Sequence, residues 1–127
     1  GESRETVLRT IDYLNRLPIQ GVKLQLLHVL SDSDLADLYR AGEYTPLEKE
    51  EYLTLVGDCI AHLRADIVLH RLTGDGDKNT LLAPLWSLRK RDVLNHLHRY
   101  LRENHIRQGM SCKIDLSVIY NKPKDVL

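Results

Sequence analysis

Apolar residues recur at every third or fourth position in three stretches of the chain, and two denser apolar runs lie between those stretches. From Glu5 to Leu17 the recurring residues are Val7, Leu8, Ile11, Leu14 and Leu17, the stripe of a helix buried along one face. Ser3 is placed to cap this helix and Pro18 marks its end. The run GVKLQLLHVL opens on Gly21 and is rich in Val and Leu, as expected of a strand covered on both sides. Alternation puts Val22, Leu24, Leu26 and His28 on one face, with Lys23, Gln25, Leu27 and Val29 on the other. Polar groups such as Lys23 and Gln25 on a strand face either line a cleft or satisfy one another.

The next segment, SDSDLADLYRAGEY, reads as a loop holding a short helix from about Asp34 to Arg40, stopped by Gly42. TPLEKEEYLTLVGDCIAHL then predicts a helix with Thr45 as cap, Pro46 at the first position and Glu48 completing a capping box. Its buried stripe is Tyr52, Leu53, Val56, Cys59, Ile60 and Leu63. DIVLHRL predicts a second strand that ends at a turn around Gly74. LLAPLW reads as an apolar linker containing Pro84, and Ser87 as the cap of a last helix from Leu88 to about His105. The stripe of that helix is Val93, Leu94, Leu97, Tyr100 and Leu101.

Helix, strand, helix, strand, helix is the grammar of a parallel α/β unit, with the two strands adjacent. Two strands leave two raw edges, so the chain either self-associates through an edge or belongs to a larger sheet. KIDLSVIY, near the C-terminus, is a third candidate strand able to cover one edge. Residues 110–127, which hold this candidate strand, read as a tail.

Composition narrows the function classes. The 127 residues carry eighteen Lys and Arg against eighteen Asp and Glu, which argues against a protein held globally on nucleic acid or an anionic membrane by charge. Binding of that kind would be local. The apolar runs are far too short to span a bilayer and the N-terminus shows no basic-then-apolar leader, so the expected setting is cytoplasmic, with no membrane partner. Cys59 and Cys112 lack any C-x-x-C or C-x-x-x-C spacing and cannot alone build a disulfide framework, a zinc site or an iron–sulfur site. Cys59 falls on the buried stripe of its helix and reads as a core residue.

Several of these segments together resemble a known family. They are the initial GES, GVKLQLLHVL, LADLYRAGEYTPLEKEEYLTLVGDCIAHL, DIVLHRLTGDG and LLAPLWSLRKRDVLNHLHRYL, spanning about Gly1 to Gly109. The chain resembles the C-terminal part of radical S-adenosylmethionine (radical SAM) proteins, in the YhcC-like subfamily related to the catalytic subunit of the elongator complex. The resemblance implies a fragment of a partial parallel (β/α) TIM-like barrel, with the two strands as its last strand and one just beyond it. It implies S-adenosylmethionine and a [4Fe–4S] cluster for the parent protein. The family's C-x-x-x-C-x-x-C, which binds that cluster, is absent here, so the chain alone is expected to be inactive. Elongator-type sequences carry a lysine, an arginine and an aspartate matching Lys23, Arg71 and Asp75.

The loop HRLTGDGDKNT invites a calcium reading, because Asp75, Asp77 and Asn79 have the opening spacing of an EF-hand. The required glycine and glutamate positions hold Thr80 and Trp86 instead, so no metal site is assigned. A turn at the carboxyl end of a parallel strand suits the rim of a ligand cleft, or is simply a turn. Arg71 needs a partner: Asp75 or Asp66 in a structural pair, or a carboxylate or phosphate of a substrate. His70 and His28 stand near the two strand ends. The residues expected at a cofactor or substrate cleft are Lys23, Gln25, His70, Arg71 and Asp75, with catalytic roles unassigned. His96 and His98 are two apart on a helix and do not share a face.

The last helix is dense in cations, from Arg89, Lys90 and Arg91 to Arg99, Arg102 and Arg107, with few acids. Such a run is either a solvated face or a surface for RNA or an acidic partner. Trp86 beside Pro84 reads as core rather than as a base-stacking platform. The leading reading is the C-terminal barrel segment of a radical SAM iron–sulfur enzyme. The alternative is a non-catalytic interaction module using the sheet edge or the basic helix.

Overall fold

A computed structural model of the chain describes residues 4–24, 29–71 and 79–112. The fold is α/β, as the order of patterned segments predicts. Helix α1 (Arg4–Asn15) leads into strand β1 (Gly21–Lys23) and the short strand β2 (Val29–Leu30). Helices α2 (Asp34–Arg40) and α3 (Lys49–His62) follow, then strands β3 (Val68–Arg71) and β4 (Leu81–Ala83). A single 3₁₀ turn, Leu85–Leu88, then precedes helix α4 (Lys90–Glu103).

β1 and β3 are adjacent and parallel, in the register Gly21↔Val68 and Val22↔Leu69. The register shifts before Lys23, which stands opposite Arg71. This is the parallel pairing expected from a strand, a helical crossover and a second strand. The run GVKLQLLHVL is not one strand in the described residues, however. Its start pairs with β3, while Val29 and Leu30 pair antiparallel with Ala83 and Leu81 of β4. Apolar density marked the whole run as extended, but it carries no information on a change of partner partway along. LLAPLW corrects in the same way: Leu81–Ala83 is a strand and Leu85–Leu88 a turn, rather than a linker.

Two helix starts also differ from expectation. α3 begins after Glu48, not at Thr45–Pro46, and the Glu51 carboxylate accepts from the Glu48 N–H at 3.2 Å. An acid three residues into the helix satisfies an orphan donor there, a box displaced by three residues from the one centred on Thr45. Ser87 does not cap α4, because its Oγ donates to the Pro84 carbonyl at 2.7 Å inside the 3₁₀ turn. Arg89 precedes the first α-helical residue instead. The short helix α2 has the expected bounds, capped by Ser33 and followed by Gly42 at φ 77°.

The core lies between the helices and one face of the β1–β3 pair. Tyr52, Leu53, Val56 and Ile60 of α3 pack with Val93 and Leu97 of α4, and Leu24, Leu69 and Trp86 lie against them. On the other side of α3, Cys59 and Leu63 meet Ile11 of α1 and Ile67, with Val22 alongside. The predicted α3 stripe is therefore buried in full. Trp86 is core as expected: its ring centroid lies 5.4 Å from that of Tyr52, and its Nε1–H donates to the Leu47 carbonyl at 3.0 Å. The candidate tail strand KIDLSVIY lies outside the described residues, as do Gln25, Leu26, Leu27, His28 and Asp75.

Candidate functional site

Which face of the β1–β3 pair is free follows from its burial. Val22, Leu24 and Leu69 turn toward the helices, so alternation sends Lys23, Val68 and His70 to the opposite side. Lys23 and His70 are exposed and Val68 is 55% exposed. The strand pair is thus covered on one face among the described residues, where a run covered on both had been expected. A valine left so open on a parallel strand is unusual, since parallel sheets are ordinarily buried on both faces.

Gly21 has a specific role on this face. A Cβ there would meet the His70 ring, with Cδ2 at 2.6 Å and Nε2 closer still. The imidazole of β3 therefore lies directly across the bare backbone of β1. An ammonium and an imidazole on one uncovered face form a place to bind and orient an anionic group. Arg71 is opposite Lys23 in register, so the backbone brings three of the five expected site residues to the carboxyl end of the strand pair. Gln25 and Asp75 fall outside the described residues.

The amino end of the pair is closed by a polar clasp that the sequence reading missed. Arg64 is 2% exposed and holds the turn between α1 and β1. Its Nη1 donates to the carbonyls of Asn15 at 2.8 Å and Leu17 at 3.0 Å, and its Nη2 to that of Ile19 at 3.0 Å. Nε–H donates to Asp66 at 2.6 Å. Asn15, 1% exposed, accepts from the Arg64 N–H at 2.8 Å and donates to the His62 carbonyl at 2.7 Å. Gln108 completes the knot by donating Nε2–H to the carbonyls of Arg64 and Ile67, at 2.9 and 2.6 Å. A signal was present: Asn15 continues the Val7, Leu8, Ile11 stripe, so a polar residue sits where the period demands burial. Asp66, weighed earlier as a partner for Arg71, is thus the partner of Arg64.

Neither cysteine suits an iron–sulfur cluster. Cys59 is 3% exposed, and burial pushes its thiol up to about 11, away from the thiolate that ligates iron. Cys112 is partly exposed and lies far along the chain. Among the described residues no group of three His, Cys, Asp or Glu side chains could hold a metal ion. The residues present do not fit the cluster. His96 and His98 diverge as expected: His98 is exposed, while His96 Nδ1 lies 2.6 Å from Lys49 Nζ, between α4 and α3.

Comparison with known proteins settles the family. The model of the Radical_SAM C-terminal domain matches residues 19–103, well over half of the chain. The chain belongs to this family. The Radical_SAM C-terminal domain so defined begins just before β1 and ends with α4, and it contains Lys23, Gln25, His70, Arg71, Asp75 and Arg64. Both cysteine environments differ in this respect, because Cys59 lies inside it and Cys112 beyond it.

Among similar proteins, the uncharacterized protein YtqA of Bacillus subtilis is 31% identical over 108 residues, covering 85% of this chain and 34% of YtqA. YhcC of Escherichia coli K12 is 31% identical over 106 residues, covering 84% of the chain and 34% of YhcC. An uncharacterized protein of Methanocaldococcus jannaschii is 30% identical over 110 residues, with 86% and 34% covered. The chain thus spans about a third of the length of the curated relatives it matches. No helix among the described residues is long and apolar enough to cross a membrane.

Proposed function

We propose that this chain is the C-terminal barrel segment of a radical SAM iron–sulfur enzyme, with the open face of β1 and β3 lining its cofactor or substrate cleft. The observation that carries this reading is one-sided burial. Two parallel strands have helices against one face and a valine, a lysine and a histidine uncovered on the other. That is the layering of a (β/α) barrel wall, whose inner strand face is completed by other strands and whose carboxyl end carries the chemistry. Family membership supports it, since the parent proteins of the family are S-adenosylmethionine and [4Fe–4S] proteins.

In this reading the cluster ligands are supplied by protein outside this chain. The residues here bind and orient. Lys23 and His70 receive an anionic group of the cofactor or substrate, the bare backbone of Gly21 leaves room for the His70 ring across the strands, and Arg71 stands opposite Lys23 in the register; Gln25 and Asp75, outside the described residues, are assigned to the same cleft by sequence position alone. The Arg64 clasp keeps the two strands in register from the opposite end.

The test is to introduce Lys23→Ala and His70→Ala into the full open reading frame, reconstitute it anaerobically, and measure S-adenosylmethionine binding and 5′-deoxyadenosine formation after reduction. Each variant should keep the cluster absorbance and lose at least about tenfold in binding or turnover, the cost of one charge-assisted hydrogen bond. Unchanged binding and turnover in both variants would remove this face from the cleft.

A further inference from the structure

Charge is unevenly distributed in this formally neutral chain. Residues 89–107 hold six of its eighteen Lys and Arg but two of its eighteen Asp and Glu, Asp92 and Glu103. Asp92 is already engaged, its Oδ2 lying 3.4 Å from Lys49 Nζ and its Oδ1 3.4 Å from His96 Nε2. Arg89, Arg91, Arg99, Arg102 and Arg107 are all exposed, and none joins an ion pair among the described residues.

Their placement on α4 is ordered. At about 100° per residue, Arg91, Asn95, His98, Arg99 and Arg102 fall within an arc of roughly 100°. Val93 and Leu97, each 1% exposed, occupy the opposite side and fix the helix against α3. The arc runs for about 17 Å along the axis, from Arg91 to Arg102. It faces away from the β1–β3 pair, because α3 and α4 cover the core side of that pair.

We infer that this arginine face binds the phosphate backbone of a nucleic acid. Guanidinium forks match phosphate oxygens in pairs, and a row of three arginines over three turns suits a ligand that repeats its charge. The arc contains no apolar side chain and no Phe, Tyr or Trp; its one ring is the His98 imidazole. It therefore lacks the buried anchors that carry a protein interface, the wedge that inserts into a membrane, and the row of rings that stacks on successive bases. What remains is sequence-independent contact with phosphates, outside the cleft face and suited to holding a large substrate or scaffold rather than to chemistry.

The test uses the intact chain and fluorescence anisotropy with a labelled RNA duplex of about 20 base pairs, titrated between about 50 and 200 mM KCl. The expected affinity is micromolar or weaker at the upper salt, with a log–log salt slope of about −3, corresponding to three phosphates. The triple variant Arg91→Gln, Arg99→Gln, Arg102→Gln should weaken binding at low salt at least about tenfold and flatten the slope. Its thermal midpoint should be unchanged, because the three side chains are exposed. Arg9→Gln with Arg16→Gln, both exposed, on α1 and just past its end, should leave binding intact. The inference is overturned if no binding appears at low salt or if the triple variant binds as the parent does. It is also overturned if a polyglutamate peptide or phosphatidylglycerol vesicles compete with the duplex at equal charge concentration.

Discussion

Replacing Arg64 by alanine probes the clasp that holds the two strands at their amino end. The guanidinium donates to three backbone carbonyls, of Asn15, Leu17 and Ile19, and to the Asp66 carboxylate. Truncation strands those carbonyls in a dry site and removes the charge partner of Asp66, which is one-third exposed. An unsatisfied buried group costs roughly 1–3 kcal/mol, but carbonyls relax and Asp66 reaches water, so the full sum is not realised. Breaking a buried pair costs about 3–5 kcal/mol, and that range is expected here. Set against a total stability of about 5–15 kcal/mol, the variant is left marginal. Arg64→Lys keeps the charge but offers a compact ammonium in place of a flat fork, and should recover about half of the loss. The assay is urea unfolding followed by circular dichroism at neutral pH, reading the midpoint shift at constant slope. Arg4 is the internal control: it pairs with Asp58 at the same 2.6 Å, but at the surface, so Arg4→Ala should leave the midpoint nearly unmoved. A loss below about 1 kcal/mol for Arg64→Ala, or one no larger than for Arg4→Ala, would refute the clasp.

Alkaline pH should destabilise the fold through two buried acids. Burial pushes Tyr52 up to about 12 and Cys59 up to about 11, from ordinary values of 10.0 and 9.0. Below pH 9 both are neutral, folded or unfolded; above it the unfolded chain releases protons that the folded chain keeps. Stability then falls by about 1.4 kcal/mol per pH unit for each group, across about pH 9–11 for Cys59 and about pH 10–12 for Tyr52. Urea midpoints measured across that range check the sign, and a Cys59→Ala, Tyr52→Phe variant should flatten the profile. Thiol labelling at neutral pH should modify the partly exposed Cys112 first, with Cys59 reacting only on opening; equal rates would contradict the burial of Cys59. Gly21→Val should displace the His70 ring, visible as a change in its imidazole NMR signals while the core methyl resonances of Val93 and Leu97 stay in place.

The fold was legible wherever burial follows a simple period. The α3 stripe from Tyr52 to Leu63 and the bounds of α2 come directly from spacing and from the glycine that ends the helix. The parallel pairing follows from the alternation of strand and helix. What the sequence left hidden depends on partners. Val29 and Leu30 share an apolar run with Gly21 to Lys23 yet pair with another strand, and no local property records that change. Thr45 and Ser87 are good caps by type, but Glu48 and Arg89 stand at the helix starts because Pro84–Leu88 closes into a turn and Glu51 satisfies the first donor of α3. No pattern in the sequence singles out Arg64 just after α3, and only the meeting of two turns makes it the most buried charge in the clasp. At the candidate site, Lys23 and His70 were singled out by type and strand position, and what the structure adds is that both are exposed on the uncovered strand face. The contribution of Gly21 is a matter of contact across strands and was not legible.

We propose that this chain forms one wall of a radical enzyme and depends on further protein for its iron–sulfur chemistry. Anaerobic reconstitution with iron and sulfide, applied in parallel to this chain and to the full open reading frame that contains it, tests this most directly. Cluster absorbance and 5′-deoxyadenosine formation on reduction should appear in the full protein and be absent from the chain alone. A full protein that assembles no cluster, or an isolated chain that assembles one and cleaves S-adenosylmethionine, would contradict the account.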